Sequence, residues 1–309
     1  MDIDIPIGPW IAAVVDYLQE HAAGAFDGIS YFIGALVEGI EDALIWVPPW
    51  IIALALVGIA TWRVGWRFGL FALASMILLF GMDLWRETMQ TFALIASSTV
   101  VSLAIGIPLG IWASRSDKVE TAVRPILDLM QTLPPFVYLI PAAMFFGIGK
   151  VPGALATIIF SMPPAVRLTN LGIRQVPKEI VEAGLAFGCT DRQLLLRVQV
   201  PNAMPSIMAG VNQTIMLALS MVVIASMIGA GGLGNTVLTG IQRLDVGLGF
   251  EGGLGVVILA VLLDRVMQSF GRNRGETVNP LGRLRALISR PDTDGERTAS
   301  GRVARSAGD

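Results

Sequence analysis

"EAGLAFGCTDRQLLLRVQVP", residues 182–201, is a run of twenty water-compatible residues set between two long apolar stretches. It carries Glu182, Asp191, Arg192 and Arg197, with glycines at 184 and 188, and closes on Pro201. Pro177 suits the opening turn of a helix, where its missing N–H is not needed. A first helix is predicted through "KEIVEAGLAF" (178–187), stopping at Gly188, a natural left-handed C′ residue. Thr190 then caps a second helix, and Gln193 three residues on completes a capping box. That helix is predicted to end before Pro201. Ile180, Ala183, Gly184 and Phe187 recur at i, i+3, i+4, i+7 spacing on the first helix. A small, apolar face edged by charges is a docking surface for a partner.

Working outward, the chain is greasy. Of 309 residues 54% are hydrophobic and 15% charged, with a mean hydropathy of +0.67; a soluble domain carries nearer a quarter charged. Apolar runs of bilayer-crossing length recur, and seven crossings are predicted at about 46–62, 64–82, 88–113, 126–149, 151–170, 207–228 and 252–270. In lipid each segment must satisfy its own backbone, so these are helices. The predicted class is an all-α, polytopic membrane helix bundle. Pro108, Pro141, Pro163 and Pro164 are expected to kink or break helices, and Pro134–Pro135 to open the fourth crossing. Gly106 and Gly110 have the spacing that lets two helices approach closely.

Lys and Arg set the orientation. With the 171–206 loop in the cytoplasm, Arg63, Arg67, Arg115, Lys118, Arg124, Arg167, Arg174, Lys178, Arg192, Arg197 and nine arginines from Arg265 onward fall inside. Only Arg86, Lys150 and Arg243 fall outside, a 19 to 3 split that obeys the positive-inside rule. Trp46, Trp50 and Trp85 then mark the outer interface and Trp62, Trp66 and Trp112 the inner one. Residues 1–45 hold eight acids and no Lys or Arg. Trp10, Ile11, Val14, Val15 and Leu18, and then Ile29, Phe32, Ile33, Leu36, Val37 and Ile40, recur at helical spacing. Glu38, Glu41 and Asp42 within the second stripe are costly at mid-bilayer depth. One or two helices lying on the outer surface are predicted, with an eighth crossing at 29–46 as the alternative. The organisation is therefore a periplasmic N-terminal segment (1–45), a transmembrane domain (46–270) and a disordered cytoplasmic tail (271–309). "MDIDIPIGPW" lacks the basic start of a cleavable signal and is expected to stay on the protein.

Several chemistries are missing. G-x-x-x-x-G-K-[ST] does not occur; in "GIGKVPG" (147–153) the lysine is followed by Val151. His21 is the only histidine and Cys189 the only cysteine, which leaves no zinc site, no disulfide and no nucleophile–base pair. No catalytic residue, metal or cofactor of its own is predicted, nor any nucleic-acid partner.

Polar residues inside the sixth crossing include Asn212, Gln213 and Ser220. The amides serve either as interhelical glue or as a polar lining. Ser220 and Ser226 are expected to bond back to their own helix. Met204, Met208, Met216, Met221 and Met227 either pack the core or line an adaptable passage. "GAGGLGNTVLTG" (229–240) suits a tightly turned backbone.

At Glu182-Ala183-Gly184, Gly188 and Val198-Gln199-Val200-Pro201 the chain resembles the permease subunits of ABC importers, with the spacing of their signature intact. Gly184 replaces an alanine, and two valines replace Ile and Leu. "MQTLPPFVYLIPAAMFFGIG" (130–149), "AGVNQTIMLALSMVVIASMIGAGGLG" (209–234) and "GIQRLDVGLG" (240–249) are similar to the permeases of glycine betaine/proline-type osmoprotectant importers. The resemblance covers about residues 88–270. It implies a type I permease fold working as a homodimer in the bacterial inner membrane. Residues 182–201 would couple to the ATPase, through Glu182, Ala183, Gly184, Gly188 and Pro201. It further implies two ATPase subunits that hold ATP and Mg, and a periplasmic binding protein, expected here as a separate chain. Asn212, Gln213, Met216 and Ser220 become candidates for the translocation path. Glycine betaine is the implied solute, with choline, proline betaine and proline as alternatives. A stand-alone secondary transporter would call for intramembrane charge pairs or inverted repeats, and neither is evident in crossings one to six.

Overall fold

The computed structural model describes residues 7–271, and every regular element among them is helical. Two helices open the chain, α1 (Ile7–His21) and α2 (Ala23–Trp46), followed by α3 (Pro49–Arg63) and α4 (Trp66–Gly81). The centre is α5 (Trp85–Arg115), α6 (Asp117–Thr132), α7 (Pro135–Phe146) and α8 (Lys150–Arg174). Then come α9 (Lys178–Ala186), α10 (Asp191–Gln193), a π-helical stretch Leu194–Gln199, α11 (Val200–Ser220) and α12 (Val222–Ser226). The last two helices are α13 (Gly232–Arg243) and α14 (Val246–Gly271).

The core forms around α8, which packs most extensively against α5 and α11. Helices in lipid gain little from apolar burial alone, so close approach and interhelical hydrogen bonds hold them together. The sequence supplies both. A Cβ at Gly106 would lie 2.9 Å from the Ala165 methyl, and one at Gly110 would lie 2.6 Å from the Val166 carbonyl oxygen. The predicted glycine pair therefore seats α5 on α8. Ser102 Oγ lies 3.1 Å from Ser161 Oγ and donates to the Ile158 carbonyl at 3.4 Å, while Ser98 Oγ donates to the Ala154 carbonyl at 3.4 Å. On α11, a Cβ at Gly210 would meet the Pro164 carbonyl oxygen at 3.2 Å.

Three helices, α5, α8 and α14, are each long and apolar enough to cross a membrane. The α2–α3 and α6–α7 pairs are bent by 100° and 98°, which makes up to five if each bent pair is one span. Four predicted crossings thus take another form. The first, 46–62, is only the second arm of the bent α2–α3 pair, since α3 alone has 15 residues. The fourth, 126–149, is not one rod: it bends at Pro134–Pro135, because Pro135 opens α7 and removes the N–H that would continue α6. The sixth stops at the buried Met221 and resumes as the five-residue α12. α4, with 16 residues, is short for a span. The internal prolines break less than expected, since α5, α7 and α8 run continuously through Pro108, Pro141 and Pro163–Pro164. The amphipathic α6 and α13 were not predicted.

α2 buries Ile33, Val37 and Glu41 at i, i+4, i+8 against α5 and α8, while Ile29 and Phe32 of the predicted stripe are exposed. Burial of Glu41 is supported by a partner: Lys150 Nζ, on α8, lies 2.6 Å from its Oε2. Gln90 Nε2 donates to Glu41 Oε1 at 3.2 Å, and Gln90 Oε1 accepts from the Gly232 amide at 3.2 Å. The chain from α2 through α5 to the start of α13 explains the glycine run. Gly229, Gly231 and Gly232 all have positive φ (87°, 78° and 71°). They turn the backbone so that the Leu233 amide reaches Thr91 Oγ1 at 2.8 Å.

Gly110→Val should cost about 1–3 kcal/mol by overpacking α5 on α8. Gly58→Val, at a position with open space, should change the melting midpoint little; equal losses in the two variants would exclude the close contact. Lys150→Met should cost about 2 kcal/mol, less than a fully buried pair because Lys150 is 31% exposed. Adding Glu41→Met should then restore more than half of the loss in the same melting assay. No recovery would show that the pair is not what buries Glu41.

Candidate functional site

The segment after α8 folds as a tight helical hairpin whose bonds close largely within itself. α9 starts at Lys178 as predicted and ends one residue early, at Ala186, with Pro177 as its N-cap and the Pro177 carbonyl accepting from the Ile180 amide at 3.1 Å. At its end the Gly188 amide donates to the Leu185 carbonyl at 2.9 Å and the Cys189 amide to the Gly184 carbonyl at 3.1 Å. Those two bonds form a Schellman cap, with Gly188 at φ +78° as its left-handed residue. Nothing lies within 4 Å of a Cβ built on Gly188, so conformation and not space demands glycine there. The predicted capping box is present: the Gln193 amide donates to Thr190 Oγ1 at 3.4 Å, and the Thr190 amide to Gln193 Oε1 at 2.9 Å.

Two features differ from expectation. The second helix does not end before Pro201. It passes through the π-helical Leu194–Gln199 straight into α11, with the Val200 amide donating to the Leu195 carbonyl. A proline at 201 cannot donate to the carbonyl four residues back, and a π turn is one way to rearrange such a ladder. The Asn202 side chain covers the neighbouring Val198 carbonyl at 2.7 Å. Secondly, Gly184 does not face outward. It is buried against the second arm, where a Cβ would lie 2.8 Å from Leu194 Cδ1. Gly184 thus closes the hairpin, and Ile180, Ala183 and Phe187 make the outward face, with Phe187 89% exposed.

The hairpin is anchored at the C-terminal end of α5, and the end of α8 from which it leaves is itself tied down. Arg115 Nη1 donates to the Asp191 carbonyl at 3.3 Å, and Arg115 Nη2 lies 3.8 Å from Asp191 Oδ2. Arg174, at the end of α8, reaches Asp117 at 2.8 Å, Glu120 at 3.0 Å and the Ala113 carbonyl at 2.9 Å. Between these arginines and the hairpin lies a cleft of ≈ 400 Å³ lined by Arg115, Arg174, Lys178, Glu182 and Gln199. Glu182 is exposed and makes no hydrogen bond or ion pair among the described residues. Its carboxylate shares that cleft with three cations and is bonded to none of them among the described residues. Just beyond the hairpin α8 and α11 close up again, since a Cβ at Gly172 would lie 2.6 Å from Ser206 Cβ.

The path candidates fall on α11. Gln213, Met216 and Ser220 lie on one exposed stripe that also carries Asn202, Pro205 and Ala209. Asn212 is half-buried beside that stripe; its Nδ2 sits 4.0 Å from Met216 Sδ, and its buried Oδ1 has no hydrogen-bond partner. Ser220 Oγ donates to the Met216 carbonyl at 3.0 Å, and Ser226 Oγ to the Val223 carbonyl at 2.6 Å, the back-bonding expected of both. Among the described residues no group of His, Cys, Asp and Glu could hold a metal. Arg115, which reaches the hairpin at Asp191, and Arg174, which ties the end of α8 to α5 and α6, enter the sequence reading only as topology markers. Their position at the last turns of two apolar helices was the available signal.

Residues 106–274 match the family described as binding-protein-dependent transport system inner membrane component. The chain is 45% identical to the glycine betaine/proline betaine transport system permease protein ProW of Escherichia coli, covering 93% of this chain and 82% of that protein. It is 49% identical to the glycine betaine/carnitine transport permease protein GbuB of Listeria monocytogenes, covering 87% and 96%. It is 46% identical to the glycine betaine transport system permease protein OpuAB of Bacillus subtilis, covering 86% and 94%. A solved structure of the MetNI methionine ABC transporter, described as inward facing, aligns with a TM-score of 0.52 at 23% identity over 61% of this chain and 92% of its own. That likeness shows the type I permease fold. Fold, hairpin and relatives agree, and the chain belongs to the family of binding-protein-dependent transport system inner membrane components.

Proposed function

We propose that this chain is the transmembrane permease of an ATP-driven importer for glycine betaine, with choline, proline betaine and proline as the nearest alternatives. The observation that carries the mechanism is the hairpin: a polar, doubly capped element between α8 and α11, with the apolar face of Ile180, Ala183 and Phe187 turned to solvent. Glu182, Ala183, Gly184, Gly188 and Pro201 take the coupling role, Gly184 and Gly188 by shaping the element, Ala183 by facing the motor and Glu182 by offering an unpaired carboxylate from the cleft beside that face. Two ATPase subunits would dock on the hairpins of a homodimer. The hairpin end then lies in the cytoplasm, with residues 1–45 outside and 271–309 inside, as the basic residues favour. Hydrolysis belongs to the partner, because the chain has no phosphate-binding lysine motif.

ATP-driven closure of the motors would move the two hairpins together. Rigid α8 and α11, joined at Gly172–Ser206 and Gly210–Pro164, would carry that displacement to the path stripe of Asn212, Gln213, Met216 and Ser220. An amide-and-methionine lining suits a solute that needs weak, adaptable contacts and no fixed counter-charge. A solute delivered by a binding protein arrives already selected, so the path needs little discrimination of its own. The relatives named for glycine betaine support the solute.

Uptake of labelled glycine betaine in a host lacking other carriers should require this chain together with its ATPase and binding protein. Uptake by the chain alone would replace the proposal with a secondary transporter. Phe187→Ala should weaken capture of the ATPase subunits on the order of tenfold or more, as expected for an aromatic anchor. Glu182→Lys and Gly188→Leu should abolish the stimulation of ATP hydrolysis by loaded binding protein, while Gly188→Asn, which tolerates positive φ, should keep most of it. Normal stimulation in both Glu182→Lys and Gly188→Leu would remove the docking role.

A further inference from the structure

We propose that a groove between the α3–α4 turn and α14 binds the phosphodiester headgroup of an anionic phospholipid, clasped by Arg67 and Arg265. The groove measures ≈ 650 Å³ and is lined by Trp66, Arg67, Phe71, Val261 and Arg265, among others. Among the described residues neither Arg67 nor Arg265 has a carboxylate partner. The adjacent Asp264 is held by Gln268, whose amide lies 2.8 Å from both carboxylate oxygens, and it lines a different groove facing α11. Two unneutralised guanidiniums around one pocket match a phosphate, which each can engage with paired N–H donors. Gly65, at φ +132°, turns the chain so that α4 begins at the groove with no side chain capping its first amides. Those amides add donors and the positive end of the helix dipole on top of the two arginines.

The surroundings point to a lipid and not to a free ion. α3 and α4 pack mainly on each other and on α14, away from the α5–α8–α11 core. Below the groove α4 exposes Leu70, Phe71, Ile77 and Leu78, a surface that acyl chains can cover. Trp62 and Trp66 are 72% and 65% exposed, and amphipathic rings of this kind sit at headgroup depth. The groove lies at the end of the bundle that carries the hairpin. Phe80 of α4 stacks on Trp85 at the start of α5, 4.6 Å between centroids, so the other end of α4 points toward the end of α5. α14 runs the same way as α5, since Gly255 abuts Leu233, whose amide bonds Thr91. Basic pockets between membrane helices hold acidic headgroups by this chemistry.

The test is native mass spectrometry of the full chain in mild detergent with equal phosphatidylglycerol and phosphatidylcholine. The unmodified protein should retain one phosphatidylglycerol in preference to phosphatidylcholine. Arg67→Gln/Arg265→Gln should lower that retention on the order of tenfold or more. Arg67→Lys/Arg265→Lys, which preserves charge and guards against a folding artefact, should recover part of it, and Arg124→Gln on α6 should lose little. Equal retention of both lipids, an unchanged double Gln variant, or an equal loss in Arg124→Gln would overturn the site. Displacement of the lipid by millimolar inorganic phosphate alone would overturn the lipid assignment in favour of a free-anion site.

Discussion

The backbones of α5 and α11 approach α8 at a few glycine positions so closely that even an added Cβ would crowd the neighbouring helix. Gly106 and Gly110 meet α8 from one helix and Gly210 from the other; Gly153 and Gly172 extend the contact along α8 toward Ala230 and Ser206. A lipid environment rewards this arrangement because shape and hydrogen bonding, more than removal of apolar surface from water, distinguish one helix pairing from another. The buried hydroxyls of Ser98, Ser102 and Ser161 add direction to the fit. Larger side chains at these places would separate the helices and loosen whatever is attached to them.

What is attached is the hairpin. It leaves α8 at Arg174 and rejoins the bundle as α11, so both arms are continuous with the tightly packed pair. Arg115 ties its middle to the end of α5, and Arg174 ties the end of α8 to α6. A push on Phe187 therefore meets a braced frame and not a floppy loop. By contrast α3 and α4 touch the frame mainly through α14, which leaves their outer faces to lipid.

Much of this was legible in the sequence, and the reasons are local. Thr190-x-x-Gln193 and Gly188 encode caps through nearby backbone bonds, so both ends of the hairpin turn could be read directly. Gly106-x-x-x-Gly110 announced a close contact, although not its partner. Legibility fails where a partner far along the chain decides. Glu41 reads as an acid in an unfavourable stripe until Lys150, 109 residues away, neutralises it. Gly184 reads as part of an outward face until Leu194 is packed on it. Pro134–Pro135 marks a boundary, but the 98° bend there depends on which surface each arm buries. α13 is hidden because it opens on Gly232-Leu233-Gly234, and its stability comes from α14 and Thr91.

The hairpin's decisive bonds, from the Pro177 carbonyl to the Gln193 amide, span seventeen residues and join partners no more than five apart in sequence. Elements with such low contact order form early and need few distant neighbours. The hairpin is thus able to take shape as soon as it leaves the ribosome, before the last membrane helices are made. For the same reason it is a self-contained cassette: transplanted between two helices of another bundle, it should carry its geometry with it.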